Sequence, residues 1–323
     1  MLSPLNIRPF NGDFNSLASL MQDSWSENRE QPLFYSAQYL RSYLTAPGAN
    51  SELMPAAMAE EELVGFIAGM PRAVRNHGRG ESWALSCFLT VARERKKLGI
   101  GPMLWGELLR RCRAAGMDGM ISYCVEGDPM NRMVEALGRI LEFPTRRVFT
   151  LEFMARPLTG LTPTQTQAPP SPEAAGALLG NFANALCSER GFVRQWTPEE
   201  SQWHCVARLG VITSIGKDSR GMLCGAVADV QDREAIAKCL FIDDVFWGDL
   251  DQHESAQMLS NLLAQAHAAG AVLAICPLAG YIDYAPLRTA GFRRTKRRLH
   301  MYLTSWSDAL PLQPLSSAYI DVF

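Results

Sequence analysis

Several familiar signals are missing from this chain of 323 residues. No apolar run approaches the length of a bilayer span, and one such as Leu63 to Met70 is far too short, so no membrane-crossing helix is expected. Met1-Leu2-Ser3-Pro4 has neither a basic flank nor an apolar stretch behind it, so no secretory leader is expected. The formal net charge is only −2, which gives no electrostatic case for a nucleic-acid partner. The eight cysteines stand singly, at 87, 112, 124, 187, 205, 224, 239 and 276, with no Cys-x-x-Cys pair. Several fall in apolar runs and read as buried free thiols. His77, His204, His253, His267 and His300 are isolated, and none pairs at metal-ligand spacing, so no metal is expected. Together these point to a reducing cytoplasm.

What is present centres on Ala84 to Gly116. Ala84 to Val91 is a short apolar run that suits a buried strand. Arg93, Arg95, Lys96 and Lys97 follow. Then Gly99-Ile-Gly101-Pro102 opens a helical pattern in which Leu104, Leu108 and Cys112 repeat every four residues, widened by Trp105 and Leu109. Pro102 suits a first helical turn, where its missing N–H is no loss, and Gly116 suits the helix end. A helix N-terminus offers unpaired N–H groups and partial positive charge, and glycines let an anion come close. The stretch therefore reads as a phosphate or pyrophosphate site. No Gly-Lys-Ser/Thr follows, which excludes a Walker-type loop. No third glycine stands at Leu104, which makes a poor dinucleotide fingerprint.

Lys96-Lys97-Leu98-Gly99-Ile100-Gly101, five residues after Val91, resembles the acyl-CoA loop of the GNAT (Gcn5-related) N-acetyltransferases, whose pattern is Arg/Gln-x-x-Gly-x-Gly/Ala. Lysine at the first position departs from the pattern and keeps the charge. The element order around it, β-α-α-β-β-β-α-β-α-β over residues 1–155, resembles the same domain. In that family two strands splay apart and pantetheine lies between them. The resemblance implies that the backbone of Leu89, Thr90 and Val91 meets pantetheine. It implies that Lys96, Lys97, Leu98, Gly99, Ile100, Gly101, Pro102 and Met103 hold the pyrophosphate. Asn131 lies where many members carry an asparagine near the cofactor. The expected cosubstrate is acetyl-CoA or another acyl-CoA.

Residues 156–172, rich in Pro, Thr and Gln, read as a linker. Residues 173–306 repeat the first half in weaker form, with a capping box at Thr197-x-x-Glu200 and a Gly291-Phe292 ending that resembles the close of a GNAT domain. Phe246-Trp-Gly-Asp-Leu-Asp251 stands where a glycine loop would be, and it is acidic. Residues 307–323 are left as a tail. The expected fold class is α/β (α+β): two GNAT-like domains, each a mixed, mainly antiparallel sheet flanked by helices. Pro71 to Gly80 reads as a basic, mobile arm.

The implied reaction moves an acyl group from a CoA thioester to a neutral amine, with backbone N–H groups stabilising the oxyanion and an acid protonating the thiolate. Many family members carry a tyrosine acid seven residues after the asparagine, where this chain has Gly138. Their Gly-Phe ending is here Glu142-Phe143. Tyr123 as acid and Glu126 as base are the candidate substitutes. Plain packing for Tyr123 and a solvated strand end for Glu126 are the alternatives. The expected activity is N-acetyl transfer to a primary amine of a small molecule, amino acid or peptide, by a monomer or homodimer with no nucleic-acid or membrane partner. A Fem-type aminoacyl transferase and a non-catalytic acyl-CoA-binding regulator are the rival readings.

Overall fold

The structure is a computed structural model and describes residues 4–25, 34–160, 171–189, 191–232, 235–306 and 313–321. The first half runs β1 (Leu5–Pro9), α1 (Phe14–Trp25), α2 (Ala37–Leu44), β2 (Pro55–Ala59), β3 (Glu62–Asn76), β4 (Arg79–Val91), α3 (Ile100–Ala114), β5 (Gly119–Val125), α4 (Pro129–Ile140) and β6 (Thr145–Pro157). The second half runs α5 (Pro172–Glu189), β7 (Phe192–Arg194), α6 (Pro198–Gln202), β8 (Val211–Ile215), β9 (Met222–Asp232), β10 (Ala235–Phe246), α7 (Gln252–Ala268), β11 (Ala271–Leu278), α8 (Ala285–Thr289) and β12 (Arg293–Ser305). Local chemistry explains many of the boundaries. Asp13 Oδ1 accepts from the N–H of Ser16 at the start of α1, Ser36 caps α2, and Asp128 with Pro129 opens α4.

One continuous sheet carries both halves, in the order β1-β2-β3-β4-β5-β12-β6-β11-β10-β9-β8, with β7 paired to β3. The last strand of each half sits in the other half's part of the sheet. β12 lies between β5 and β6, and β6 pairs onward with β11. This mixed sheet with flanking helices is the expected fold class, built with exchanged strands.

The depth at which α3 sits is set by two glycines on one face of β3. A Cβ at Gly65 would lie 2.9 Å from Leu104 Cδ1 and 3.0 Å from Ile100 Cγ2, and one at Gly69 would lie 2.8 Å from Leu108 Cδ1. Only glycine lets the helix stripe of Ile100, Leu104, Leu108 and Cys112 come so close, and all four side chains are buried. The start of α3 is thereby fixed against the end of β4.

Some expectations are corrected. Pro71 to Gly80 is no mobile arm: it is the tip of a hairpin, with Arg72↔Trp83 and Asn76↔Arg79 in register. The capping box at Thr197 opens only the short α6, followed by a π-helical turn at Trp203–Ala207. The short strand β7 gave no sequence signal. Most of the proposed linker lies outside the described residues. The described part of the proposed tail is built in: Arg194 N–H donates to Tyr319 O at 2.7 Å, and Ala318, Tyr319 and Ile320 are buried. Among the described residues no helix is long and apolar enough to cross a membrane.

Candidate active site

β4 and β5 run parallel and pair only from Trp83↔Gly119 to Ser86↔Ser122. The Ser86 and Ser122 hydroxyls, 2.7 Å apart, close the apex. Beyond it β5 stays with β12 while β4 stays with β3, and a cleft of about 490 Å³ opens between them. Trp25, Ile67, Phe88, Leu89 and Met130 give it apolar walls, and Thr90, Val91, Lys96 and Tyr123 also line it.

The β3–β4 register slips within the cleft. Ala68 faces Cys87 but Phe66 faces Thr90, so Phe88 and Leu89 form a bulge. Phe88 has φ +60°, a left-handed conformation that costs a non-glycine residue about 1–3 kcal/mol and persists only where the surroundings hold it. Tyr35 and Tyr43 hold it here, each meeting the Phe88 ring edge-on at 5.3 Å. Phe88 and Leu89 fall outside the paired register of β3 and β4, and Phe88 O accepts from Thr90 Oγ1 at 3.1 Å.

At the cleft mouth Lys96 Nζ donates to Ser24 O at 2.7 Å, and the Ser24 hydroxyl donates to Val91 O at 2.9 Å. These bonds tie the end of α1 to the end of β4. Gly99, with φ +78°, is the N-cap of α3 and has no side chain to satisfy the helix. Met103 N–H bonds back to Gly99 O at 3.2 Å, and Pro102 has no N–H. The N–H groups of Ile100 and Gly101 belong to the first turn, which lacks intrahelical partners. A Cβ at Gly99 would meet open space, and one at Gly101 only Val91 Cγ2 at 3.8 Å. An anion can therefore approach this turn from outside, with Lys96 and Lys97 beside it.

The candidate residues fare differently. Leu89, Thr90, Val91, Lys96 and Tyr123 share the cleft, and Lys97 to Met103 form the helix start next to it. The Ile100 side chain is buried in the core, so only its backbone faces outward, while Leu98 and Met103 are exposed. Asn131 is occupied in holding the turn before α4: its Nδ2 donates to Val125 O at 2.6 Å and Asp128 O at 2.9 Å, and its Oδ1 accepts from Tyr302. Glu126 lies outside the cleft lining, facing Arg298 at 3.8 Å and His300 at 3.7 Å. Tyr123 OH points at Met301 Sδ, 3.9 Å away. Burial first, then the Asp321 charge, raises this phenol well above its ordinary value. Gly138 is packed out: a Cβ there would lie 2.2 Å from Thr145 Oγ1, so no tyrosine fits.

A buried charge cluster behind the cleft escaped the sequence reading. Arg72 Nε donates to Asp321 Oδ2 at 2.9 Å, its NH2 group donates to Tyr43 OH at 3.3 Å, and Arg194 pairs with the same carboxylate. Burial alone would raise the Asp321 carboxyl. Arg194 and Arg72 overrule it and hold the group well below the usual range. Asp321 Oδ1 has no hydrogen-bond partner among the described residues. Its charge is felt at Tyr123 and at Cys87, whose thiol burial pushes up to about 12. The only signal for this cluster was arginine inside strand-like stretches.

Residues 9–122 match the family model described as Myristoyl-CoA:protein N-myristoyltransferase, N-terminal domain. The likeness to solved N-myristoyltransferases is one of fold. Two structures of Saccharomyces cerevisiae N-myristoyltransferase with bound myristoyl-CoA superpose with a TM-score of 0.74 at 13% identity, covering 94% of this chain and 80% and 83% of theirs. A GCN5-related N-acetyltransferase from Anabaena variabilis superposes with a TM-score of 0.56 at 13% identity, covering 93% of this chain and 72% of its own. No curated protein matches the chain in sequence.

Proposed function

We propose that the chain is an acyl-CoA-dependent N-acyltransferase, and that it takes a long-chain acyl-CoA and a peptide or protein amine. One observation carries the reading: a strand splay stands directly beside an uncapped, glycine-started helix N-terminus. The splay suits pantetheine, and the helix start suits its pyrophosphate. The apolar walls at Trp25, Ile67, Phe88, Leu89 and Met130 suit an alkyl chain. The match to a myristoyl-CoA-dependent family over residues 9–122 favours such a chain over acetyl.

In this reading the thioester carbonyl lies over the bulge, where the Phe88 and Leu89 N–H groups receive the oxyanion. The acceptor amine approaches the bulge from the side of α2, where Tyr35 and Tyr43 meet the Phe88 ring. The neutral amine, its proton passed to solvent, attacks the carbonyl carbon. The C–S bond then breaks, the thiolate takes a proton, and the amide nitrogen gives one up. We assign the thiolate's proton to Tyr123, the phenol that lines the cleft. Glu126 would act only through water.

The test is thiol release and amide formation with acetyl-, octanoyl- and myristoyl-CoA, each offered to peptides of varied N-terminal residue and to small amines. Myristoyl-CoA with a peptide should turn over fastest. Preference for acetyl-CoA with a small amine would restore the narrower sequence expectation. Acyl-CoA binding without turnover would leave a non-catalytic binder. For Tyr123→Phe the expected loss is about 100-fold in turnover, the scale of a positioned acid, with acyl-CoA affinity unchanged. A loss of tenfold or less assigns the proton to water.

A further inference from the structure

We infer that His204, Cys224 and Asp244 form a buried structural metal site, suited to zinc, in the second half of the chain. Nothing in the acyl-transfer reading uses these groups. His204 comes from the π-helical turn after α6, Cys224 from β9 and Asp244 from β10. Their donor atoms, one imidazole nitrogen, one sulfur and one carboxylate oxygen, all lie within 4.8 Å of one another. All three residues are buried. Donors around a tetrahedral zinc stand about 3.3–3.8 Å apart, given bond lengths of about 2.0–2.3 Å. The His204–Asp244 pair, hydrogen-bonded at 2.6 Å, would have to open and the wider pairs to close, each by about 1 Å. Nitrogen, thiolate and carboxylate together form a zinc-type donor set.

The surroundings are those of a built site. The Asp244 oxygen that does not face His204 accepts from Tyr319 OH at 2.6 Å. Tyr319 OH accepts in turn from Trp196 Nε1 at 3.0 Å, and the Trp196 ring lies 4.5 Å from the His204 ring. Such outer partners fix a ligand's orientation. Arg208 and Thr213 direct donors at Cys224 Sγ, at 3.7 and 3.6 Å, and the thiol itself reaches His204 O at 3.8 Å, a proton that metal binding would displace. These three protein donors leave a fourth position of the tetrahedron to a water molecule. A divalent ion would balance the Cys224 thiolate and the Asp244 carboxylate. Arg208 and Asp243 already pair with each other. A site buried this deeply, outside the cleft, is structural rather than catalytic. It would pin the π-helical turn to β9 and β10.

The experiment uses the full chain, purified without a polyhistidine tag and without chelator. Elemental analysis should find about one zinc per chain, as a single site holds, and Cys224→Ser and Asp244→Asn should each lose most of it. Tyr319→Phe should keep the metal with affinity lowered about 10- to 100-fold, the usual effect of losing an outer partner. Zinc exchanged for cobalt should give a thiolate-to-cobalt charge-transfer band in the wild-type chain, a readout that remains if the cysteine variant fails to fold. Two results would overturn the site: a metal-free wild-type chain that takes up no added zinc, or a cobalt-loaded chain without that band. Zinc retained in full by Cys224→Ser would do the same.

Discussion

The start of α3 and the start of α7 occupy corresponding places in the two halves, and they treat their N–H groups in opposite ways. Each helix follows one strand of a parallel pair and precedes the other. In the first half pairing ends at Ser86↔Ser122, in the second at Phe241↔Ile275. A cavity opens past each point, about 490 Å³ beside α3 and about 550 Å³ beside α7. Yet α3 starts on Gly99 with no capping side chain, whereas α7 starts on a capping box: Asp251 Oδ1 accepts from Glu254 N–H at 2.8 Å, and Glu254 Oε2 accepts from Asp251 N–H at 3.1 Å. The second helix has satisfied itself and surrounded its start with carboxylates. The larger cavity is thus the poorer pyrophosphate site. Capping chemistry, not volume, separates two similar frames into one that can hold an anion and one that cannot.

The sharpest way to break the comparison is to separate the halves. Residues 1–160 alone would leave β5 and β6 without β12, which lies between them along Leu299↔Val125 and Leu299↔Leu151. Two open strand edges and the apolar faces packed on them would be exposed. This fragment is expected to aggregate and to bind no acyl-CoA, checked by size-exclusion chromatography and titration. A soluble, binding-competent fragment would mean that the exchanged strand is dispensable.

Next in size is Gly101→Asp, which gives α3 the negative charge that α7 already carries. Its Cβ would meet only Val91 Cγ2 at 3.8 Å, so folding should survive. A carboxylate facing a bound pyrophosphate should weaken acyl-CoA binding at least about 100-fold, since like charges this close cost several kcal/mol. Calorimetry on the wild-type chain should show one site, and on the variant none. Unchanged affinity would move the cofactor elsewhere.

Much of this was legible beforehand because it is written in local chemistry. Gly99, Gly101 and Pro102 sit within one turn, so spacing alone locates the uncapped helix start. Thr197 with Glu200, and Asp128 with Pro129, are equally local. The strand exchange was not legible, because alternation along β6 or β12 does not say which neighbour it will pair with. The Arg72–Asp321–Arg194 cluster joins residues far apart in the chain, and its charges looked like ordinary surface. Phe88 was hidden for another reason. Its bulge depends on Tyr35 and Tyr43, which come from the segment at and before α2 and carry no signal about a strand elsewhere.

Smaller effects test the second half. Asp251→Ala removes the α7 cap and should cost about 1 kcal/mol, the usual value of an N-cap, measured by urea unfolding. Acyl-CoA affinity should not move. A second acyl-CoA site appearing in this variant would show that the cap alone had kept the second half closed to the ligand.

The smallest expected effect lies where the two halves end their last helices. After α8, Gly291 takes φ +90° and Phe292 N–H bonds back to Leu287 O at 3.0 Å. After α4, Phe143 N–H makes the matching bond to Gly138 O at 2.9 Å, but Glu142 holds the left-handed position, with φ +55°. A side chain there costs about 1–2 kcal/mol. Glycine would remove that cost and return about 0.5–1 kcal/mol through its freer unfolded chain. Glu142→Gly should therefore stabilise the protein by about 0.5–1 kcal/mol, the difference of those two terms. Gly291→Glu should destabilise by more than that, because φ +90° lies beyond the left-handed well that a side chain tolerates. Urea unfolding of both variants reads the two signs together. If Glu142→Gly lowers stability instead, the Glu142 side chain contributes more than its backbone strain takes away, and the two helix ends differ by design of their side chains rather than by a tolerated mismatch.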